Sequence, residues 1–467
     1  MEAWARDASS LADAIRAGEV RSSDAVEASL AAIGRSELNA VVYLDGDGAR
    51  EAAAAIDRRI AAGEAPGLLA GVPILVKDLE DAAGMPTTHG SVVFKDNIAT
   101  ADSISTARLR AAGAVIVGKS AAPEFGLVGY TATKLHGVTR NPWNRERTPG
   151  GSSGGSAAAV SGGLVPIATG TDGGGSIRGP ASSCGLVGMK GSYGRIPRGP
   201  HAELGAITSV LGCVARSVRD AARWYDVTSG YDARDAFSLP RVEGWEADLG
   251  THDLAGLRVV VSPDLGNSLV HDDVKRVVFD AADALIAATG MRRVECDVRL
   301  PENGIAWASA GLPSLVADLK DRWPACADDL TFEIRYGMES SVRFRARHAA
   351  AVDEFRTEMN AAMAELFEQT DIVLCPVNPF EPFPAEGPMP RYIGETKVNP
   401  YNGGALTIPA NISGYPAISI PAGLSPSGLP IGLQAYARRH EDAVLFDLAL
   451  AMEGLRPWPL VAPGAPS

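Results

Sequence analysis

The strongest constraint in this 467-residue sequence is where its glycines fall: 16 of the 51 lie between Gly150 and Gly199. Glycine leaves backbone N–H groups uncovered and takes positive φ without steric penalty, so this concentration specifies tight chain geometry. Two serine-bearing stretches stand inside it, Thr148-Pro-Gly-Gly-Ser152-Ser153-Gly-Gly-Ser156 and Gly170-Thr-Asp172-Gly-Gly-Gly-Ser176-Ile-Arg178-Gly-Pro180. The triplet Gly173, Gly174 and Gly175 forms a nest of N–H donors leading into what reads as a helix start. Such a nest suits an oxyanion developing at a carbonyl that Ser176 Oγ attacks. A tight structural turn and a phosphate loop are the competing readings. Against the phosphate loop, no Lys or Arg follows at Walker spacing, and Arg178 is the only nearby cation.

Around this cluster, short apolar runs alternate with helical patterns. Val72 to Val76, Ala114 to Val117 and Val165 to Thr169 read as strands, and Thr106 to Ala112 as a helix feeding one of them. Leu257 to Ser262, the helix Asp273 to Ala288, Asp371 to Cys375 and Ala417 to Ile420 continue the alternation, which predicts a layered α/β domain with a largely buried sheet. Ala-rich amphipathic stretches near Leu11 to Ala17, Asp24 to Ile33 and Ala49 to Ile60 read as helices. Ser23 is the expected N-cap of the second. No repeat or composition break divides the chain, so residues 1–467 are expected to form a single domain. Residues 300–370, helical and richer in charge and Trp, are the expected cap over a site.

A formal net charge of −13 and the absence of a basic tail argue against nucleic-acid or anionic-membrane partners. No run approaches the roughly 20 apolar residues of a membrane span. The five cysteines are widely spaced and never paired as Cys-x-x-Cys, and the start MEAWARDASS has no apolar core segment. A reducing, cytoplasmic setting is therefore expected, without a disulfide framework or a zinc site of the usual spacing.

Three short motifs mislead. Gly113-Ala-Val-Ile-Val-Gly118-Lys119-Ser120 matches Walker A, but its middle is a β-branched strand and cannot be a phosphate loop. Gly150-Gly-Ser152-Ser-Gly154 matches the α/β-hydrolase nucleophile elbow. Its upstream segment, Asn141 to Pro149, has two prolines and three ionic residues where the elbow needs a strand. An esterase of that type remains an alternative. A Ser-x-x-Lys dyad is absent at all eight lysines.

With 43 basic residues and only eight lysines, arginine carries most surface duty. Lys77 is therefore conspicuous, since it ends the apolar run Gly71-Val-Pro-Ile-Leu-Val76 and precedes Asp78. An ammonium there is costly unless it is paired or its pKa falls. Two readings stay open: a lysine that reaches solvent or pairs with Asp78, and a desolvated lysine able to accept a proton at neutral pH. None of the seven histidines has a context that marks it as the base for a serine.

The 32 residues from Gly150 to Ala181 closely resemble the signature stretch of the amidase signature enzymes, with Asp172, Ser176, Arg178 and Pro180 in place. Lys77, 75 residues before Ser152, falls where that family's catalytic lysine would. The similarity covers Gly67 to Asp220 well, and Asp371 to Arg439 more loosely, through Asn411-Ile-Ser-Gly-Tyr-Pro-Ala and Gly428-Leu-Pro-Ile-Gly-Leu-Gln.

The resemblance implies a mixed, mostly parallel central sheet flanked by helices, with residues 67–220 as catalytic core around the signature stretch 150–181. It implies a Ser–cisSer–Lys triad. Ser176 would be the nucleophile, Ser152 the bridging serine after a non-proline cis peptide at Gly151, and Lys77 the base. Gly173, Gly174, Gly175 and Ser176 would supply the oxyanion hole, Asp172 and Arg178 would fix the loop, and Ser153 would help hold Lys77 or the loop. No metal or organic cofactor is implied.

The family's other branch supplies the amidase subunit of a glutamine-dependent tRNA amidotransferase. The run Pro197-Arg-Gly-Pro-His-Ala-Glu-Leu-Gly and the segment Asn141-Pro-Trp-Asn144 look more like stand-alone amidases acting on nylon-oligomer, aryl or carbamate bonds. The expected partner is a small-molecule amide, and the expected state a monomer or homodimer. The pocket is expected from Ala121 to Tyr130, Arg198 to Ala206, and Trp307 to Met338, with apolar content suited to an uncharged, bulky group.

Overall fold

The computed structural model describes residues 5–199 and 208–466. Eleven strands form one sheet: β1 (Val41–Leu44), β2 (Pro73–Lys77), β3 (Val115–Ser120), β4 (Ile167–Asp172), β5 (Val187–Lys190), β6 (Val210–Ala215), β7 (Arg258–Val261), β8 (Arg292–Arg293), β9 (Ile372–Pro376), β10 (Ala417–Leu424) and β11 (Pro430–Ala437). Their order is β1-β3-β2-β4-β6-β5-β10-β11-β9-β7-β8. The sheet is mixed and flanked by helices, as expected. Parallel pairing holds in two blocks, β3-β2-β4 and β9-β7-β8, which make four of the ten junctions. The other six are antiparallel, so the expected mostly parallel sheet gives way to one with an antiparallel centre. The reason lies in strands that the apolar runs do not mark. β5, β6 and β11 lie outside the runs that read as strands, and β11 returns along β10 across a short turn that permits only antiparallel pairing.

β2 is buried along its whole length, as its unbroken apolar run requires of a strand covered on both faces. The three N-terminal helices form as Ala8–Arg16, Ser22–Arg35 and Gly46–Ala61. Ser23 does not cap the second. Asp57, from the third helix, accepts the Ser22 and Ser23 N–H groups at 2.7 and 3.1 Å, and the Ser23 hydroxyl at 2.6 Å. A carboxylate acceptor does there what the serine hydroxyl was expected to do.

One hydrophobic cluster draws residues from Ala8 to Met452. A second gathers around Val26, Leu75, Val117 and Ala157 to Val160. A third, small and separate, joins Leu315, Leu319, Ile334 and Met338 of the helices Leu312–Leu319 and Phe332–Ser341, with Phe94 and Phe125 packed against it. All five cysteines are free thiols. Among the described residues no helix is long and apolar enough to cross a membrane.

Candidate active site

β2 and β4 run parallel side by side, so their C-terminal ends deliver Lys77 and the Thr171–Asp172 pair to one edge of the sheet. Lys77 is fully buried. Its Nζ lies 2.8 Å from Ser152 Oγ, 2.9 Å from Ser153 Oγ and 2.8 Å from Thr171 Oγ1. Burial pushes its pKa down to about 7, against the opposing charges of Asp172 and Glu80. Asp78 is not its partner: that carboxylate accepts the Thr88 and Gly90 N–H groups at 2.8 and 3.2 Å, and the Thr88 hydroxyl. Lys77 thus neither reaches solvent nor pairs with Asp78. A neutral amine among three hydroxyls can donate two hydrogen bonds and accept one, as a base must.

The Ser152 turn is closed on every side. The Gly151–Ser152 peptide is cis. A Cβ on Gly151 would stand 2.6 Å from Tyr130 N and Val128 O, so only glycine fits there. The segment before it, Asn141 to Pro149, is a loop of turns and bridges, which removes the nucleophile-elbow reading. Ser153 sits at the N-cap of the helix Gly154–Ser161 but makes no side-chain cap. Its Oγ faces Lys77 and the Thr171 backbone instead.

The glycine triplet leaves the end of β4 as a loop held from below. Fully buried Asp172 accepts Gly175 N–H at 2.7 Å, Ile177 N–H at 3.1 Å and Arg178 N–H at 3.3 Å. Arg178 grips the same carboxylate through Nε and Nη2 at 3.0 and 2.9 Å. Its other hydrogen bonds go to Thr407 O, Gln434 Oε1 and Asn411 Oδ1. Burial opposes ionisation of Asp172, but the Arg178 charge and hydrogen bonds, with those of Asn411, outweigh it and hold the carboxyl well below the usual range. Gly175 has φ +117 and abuts Thr407, a conformation and a space that exclude a side chain.

One expectation changes here. The Gly175 N–H is committed to Asp172, which leaves Gly173, Gly174 and Ser176 as the N–H groups available to an oxyanion. Ser176 is half-buried, and its hydroxyl makes no hydrogen bond among the described residues. Its carbonyl accepts Ser153 N–H at 3.2 Å, which ties the two serine loops together.

Trp307 reaches the Gly174 position, and a cavity of about 230 Å³ opens between the 124–134 segment and the helix Phe332–Ser341. Tyr130 OH bridges the two by donating to Glu333 Oε1 at 3.1 Å. Glu124, Glu333 and Glu386 line this cavity together with Val128, Ala132 and Ile334, so charged and apolar groups share its wall. Arg198 donates its backbone N–H to Asp235 Oδ2 at 2.8 Å and lies over the Tyr193 ring, and residues 200–206 of the expected pocket lie outside the described residues.

The described histidines sit elsewhere. His136 contacts Thr88, His89 stacks on Phe125, His252 bonds Asp447, and His271 and His348 serve helix starts. His440 lies at Ser192, and His201 lies outside the described residues. Gly118-Lys119-Ser120 is the end of β3, as its β-branched residues require. Sequence reasoning did not identify Thr171, Thr407, Asn411 or Gln434 as parts of the site. Thr171 was the most accessible: it shares a strand face with Thr169, whose Oγ1 accepts Lys77 N–H at 2.8 Å.

A buried amine on hydroxyls beside a braced glycine loop, at one edge of a mixed sheet, is the combination that the sequence resemblance implied. The family model described as Amidase matches residues 24–446, and the chain belongs to the amidase signature family. It is 34% identical over 429 residues to an acylamidase of Rhodococcus erythropolis, covering 90% of this chain and 89% of that protein. It is 35% identical over 490 residues to a glutamyl-tRNA(Gln) amidotransferase subunit of Nocardia farcinica (strain IFM 10152), covering 97% of this chain and 98% of that protein. The solved structure of a bacterial aryl acylamidase belonging to the amidase signature enzymes superposes with a TM-score of 0.92, at 30% identity over 97% of each chain.

Proposed function

We propose that this chain is a stand-alone serine amidase that cleaves carboxylic amides, with carbamates and esters as further candidates, through an acyl-enzyme. One observation carries the reading: Lys77 Nζ is fully buried against the hydroxyls of Ser152, Ser153 and Thr171, with its pKa lowered to about 7. Neutral Lys77 draws a proton from Ser152, which takes one from Ser176, and Ser176 Oγ attacks the amide carbonyl carbon. The oxyanion is received by the N–H groups of Gly173, Gly174 and Ser176. The relay then returns the proton to the leaving amine as the C–N bond breaks. Water, deprotonated by the same relay, releases the acid. Residues 67–220 form the catalytic core in this reading, and residues 300–370 cap the pocket. The enzyme acts in the cytoplasm, as a monomer or homodimer, on a small-molecule amide. Aryl amides are the first class to test, because the Rhodococcus relative is an acylamidase and the structural neighbour an aryl acylamidase.

A second reading, an amidase subunit of a tRNA amidotransferase, has the 35% identity to the Nocardia protein in its favour. The purified chain alone separates the two. Hydrolysis of a chromogenic anilide without partners, lost in Ser176→Ala together with fluorophosphonate labelling, is the expected result. Labelling without any amide turnover would favour the amidotransferase reading, and labelling that survives Ser176→Ala would remove Ser176 as nucleophile.

A further inference from the structure

The mechanism uses the glycine loop from beneath, through Asp172 and Arg178, and leaves its upper side unexplained. Trp307, in the short helix Ile305–Ala310, covers that side. A Cβ placed on Gly174 would stand 2.7 Å from Trp307 Cζ2 and 3.4 Å from Ile408 Cγ1, so the benzo edge of the indole rests directly on the loop. Loop support does not account for this contact. The Gly174 carbonyl already accepts the Thr407 hydroxyl at 2.7 Å, and Gly175 N–H is held by Asp172.

Two further features set Trp307 apart. It packs with Ala306 against the main core, whereas Leu315, Leu319, Ile334 and Met338 form their own cluster, so the indole is fixed by the body that carries the catalytic loops. It is also only half-buried, and its N–H makes no hydrogen bond among the described residues. Tryptophan ordinarily pairs that group when it is buried. Cζ2 is bonded to Cε2, the carbon that carries Nε1, so the unpaired N–H belongs to the same edge that meets the loop. A rigid flat ring with a free donor, beside the N–H groups that would hold the scissile carbonyl oxygen, has the form of a recognition surface.

We propose that Trp307 is a specificity-determining residue, whose ring packs against an aryl group of the substrate attached through the scissile amide. The proposal rests on the amidase reading above. The test compares kcat/KM for acetanilide, benzamide and acetamide, which carry an aryl group on the amine side, on the acyl side, and on neither. Trp307→Ala should lower the aryl-to-acetamide ratio at least about tenfold, the scale of losing one buried aromatic contact. Trp307→Leu, which keeps apolar bulk but no ring face, should do the same, and Trp307→Phe should restore most of the ratio. A fall confined to acetanilide puts the aryl site on the amine side, and one confined to benzamide puts it on the acyl side.

An equal loss with all three substrates, the mark of a structural role, overturns the proposal. So does an unchanged ratio, or a wild type that labels with fluorophosphonate yet turns over neither aryl amide. If the wild type neither labels nor hydrolyses any of the three, it is the amidase reading that fails.

Discussion

Lys77 and Lys119 lie on neighbouring parallel strands, fully buried, and differ in what surrounds their amines. The register sets Val76 beside Lys119 and Lys77 beside Ser120, so the two side chains leave opposite faces of the sheet. On one face Lys77 meets three neutral hydroxyls. On the other, Lys119 donates to the Glu80 carbonyl and to Thr87 Oγ1 at 3.2 Å, within the field of Asp78, Glu80 and Asp81. Burial lowers both pKa values; Asp172 and Glu80 oppose the fall at Lys77, and Asp78, Glu80 and Asp81 oppose it at Lys119. On the proposed function, what fits Lys77 to act as a base is its neighbourhood of hydroxyls, which can exchange a proton with the amine.

Removing each amine should have opposite consequences. Lys77→Ala should slow fluorophosphonate labelling of Ser176 by about 10³-fold near neutral pH, within the usual range for losing a general base. Full activity in that variant would end the relay. Lys119→Met should instead cost about 1–3 kcal/mol in chemical denaturation, because buried acceptors lose their donor. Labelling of its folded fraction should hold the wild-type rate and pH profile, and a shifted profile would show that the two faces are not independent. The smallest effect belongs to Thr171→Val, which removes one of the three hydroxyls. About fivefold slower labelling is expected, the scale of one hydrogen bond, and no change would exclude Thr171 from positioning the amine.

The sequence made this contrast only half legible. Lys77 stood out because a lysine closing an all-apolar run has few ways to exist, and the serine–glycine stretches because their composition suits no regular element. Lys119 closes a run just as apolar, and its only distinguishing mark was a false Walker match. What separates the two is the Glu80 carbonyl, Asp78 and Asp81 around Lys119 and the hydroxyls of Ser152, Ser153 and Thr171 around Lys77. Contacts 75 to 94 residues apart in sequence follow from strand order, which local pattern does not encode. Strand order was also the least visible part of the fold. β2, β3 and β4 stood out as apolar runs, while β5, β6 and β11 did not, and with them went the antiparallel centre of the sheet. The oxyanion loop shows the same boundary. Three glycines pointed to free N–H groups, but that Gly175 gives its own to Asp172 depends on side-chain geometry at the end of β4.

The central claim is that Lys77 works as a neutral base at the end of β2, and the pH dependence of Ser176 labelling by a fluorophosphonate tests it most directly. Ionised Lys77 cannot take a proton, so the rate should rise about tenfold per pH unit below the lysine's pKa and level off above it, with the midpoint near 7. Lys77→Ala should abolish that inflection along with most of the rate. A profile that is flat through this region, or that turns only near 10.5, the value of an ordinary lysine, would contradict the account.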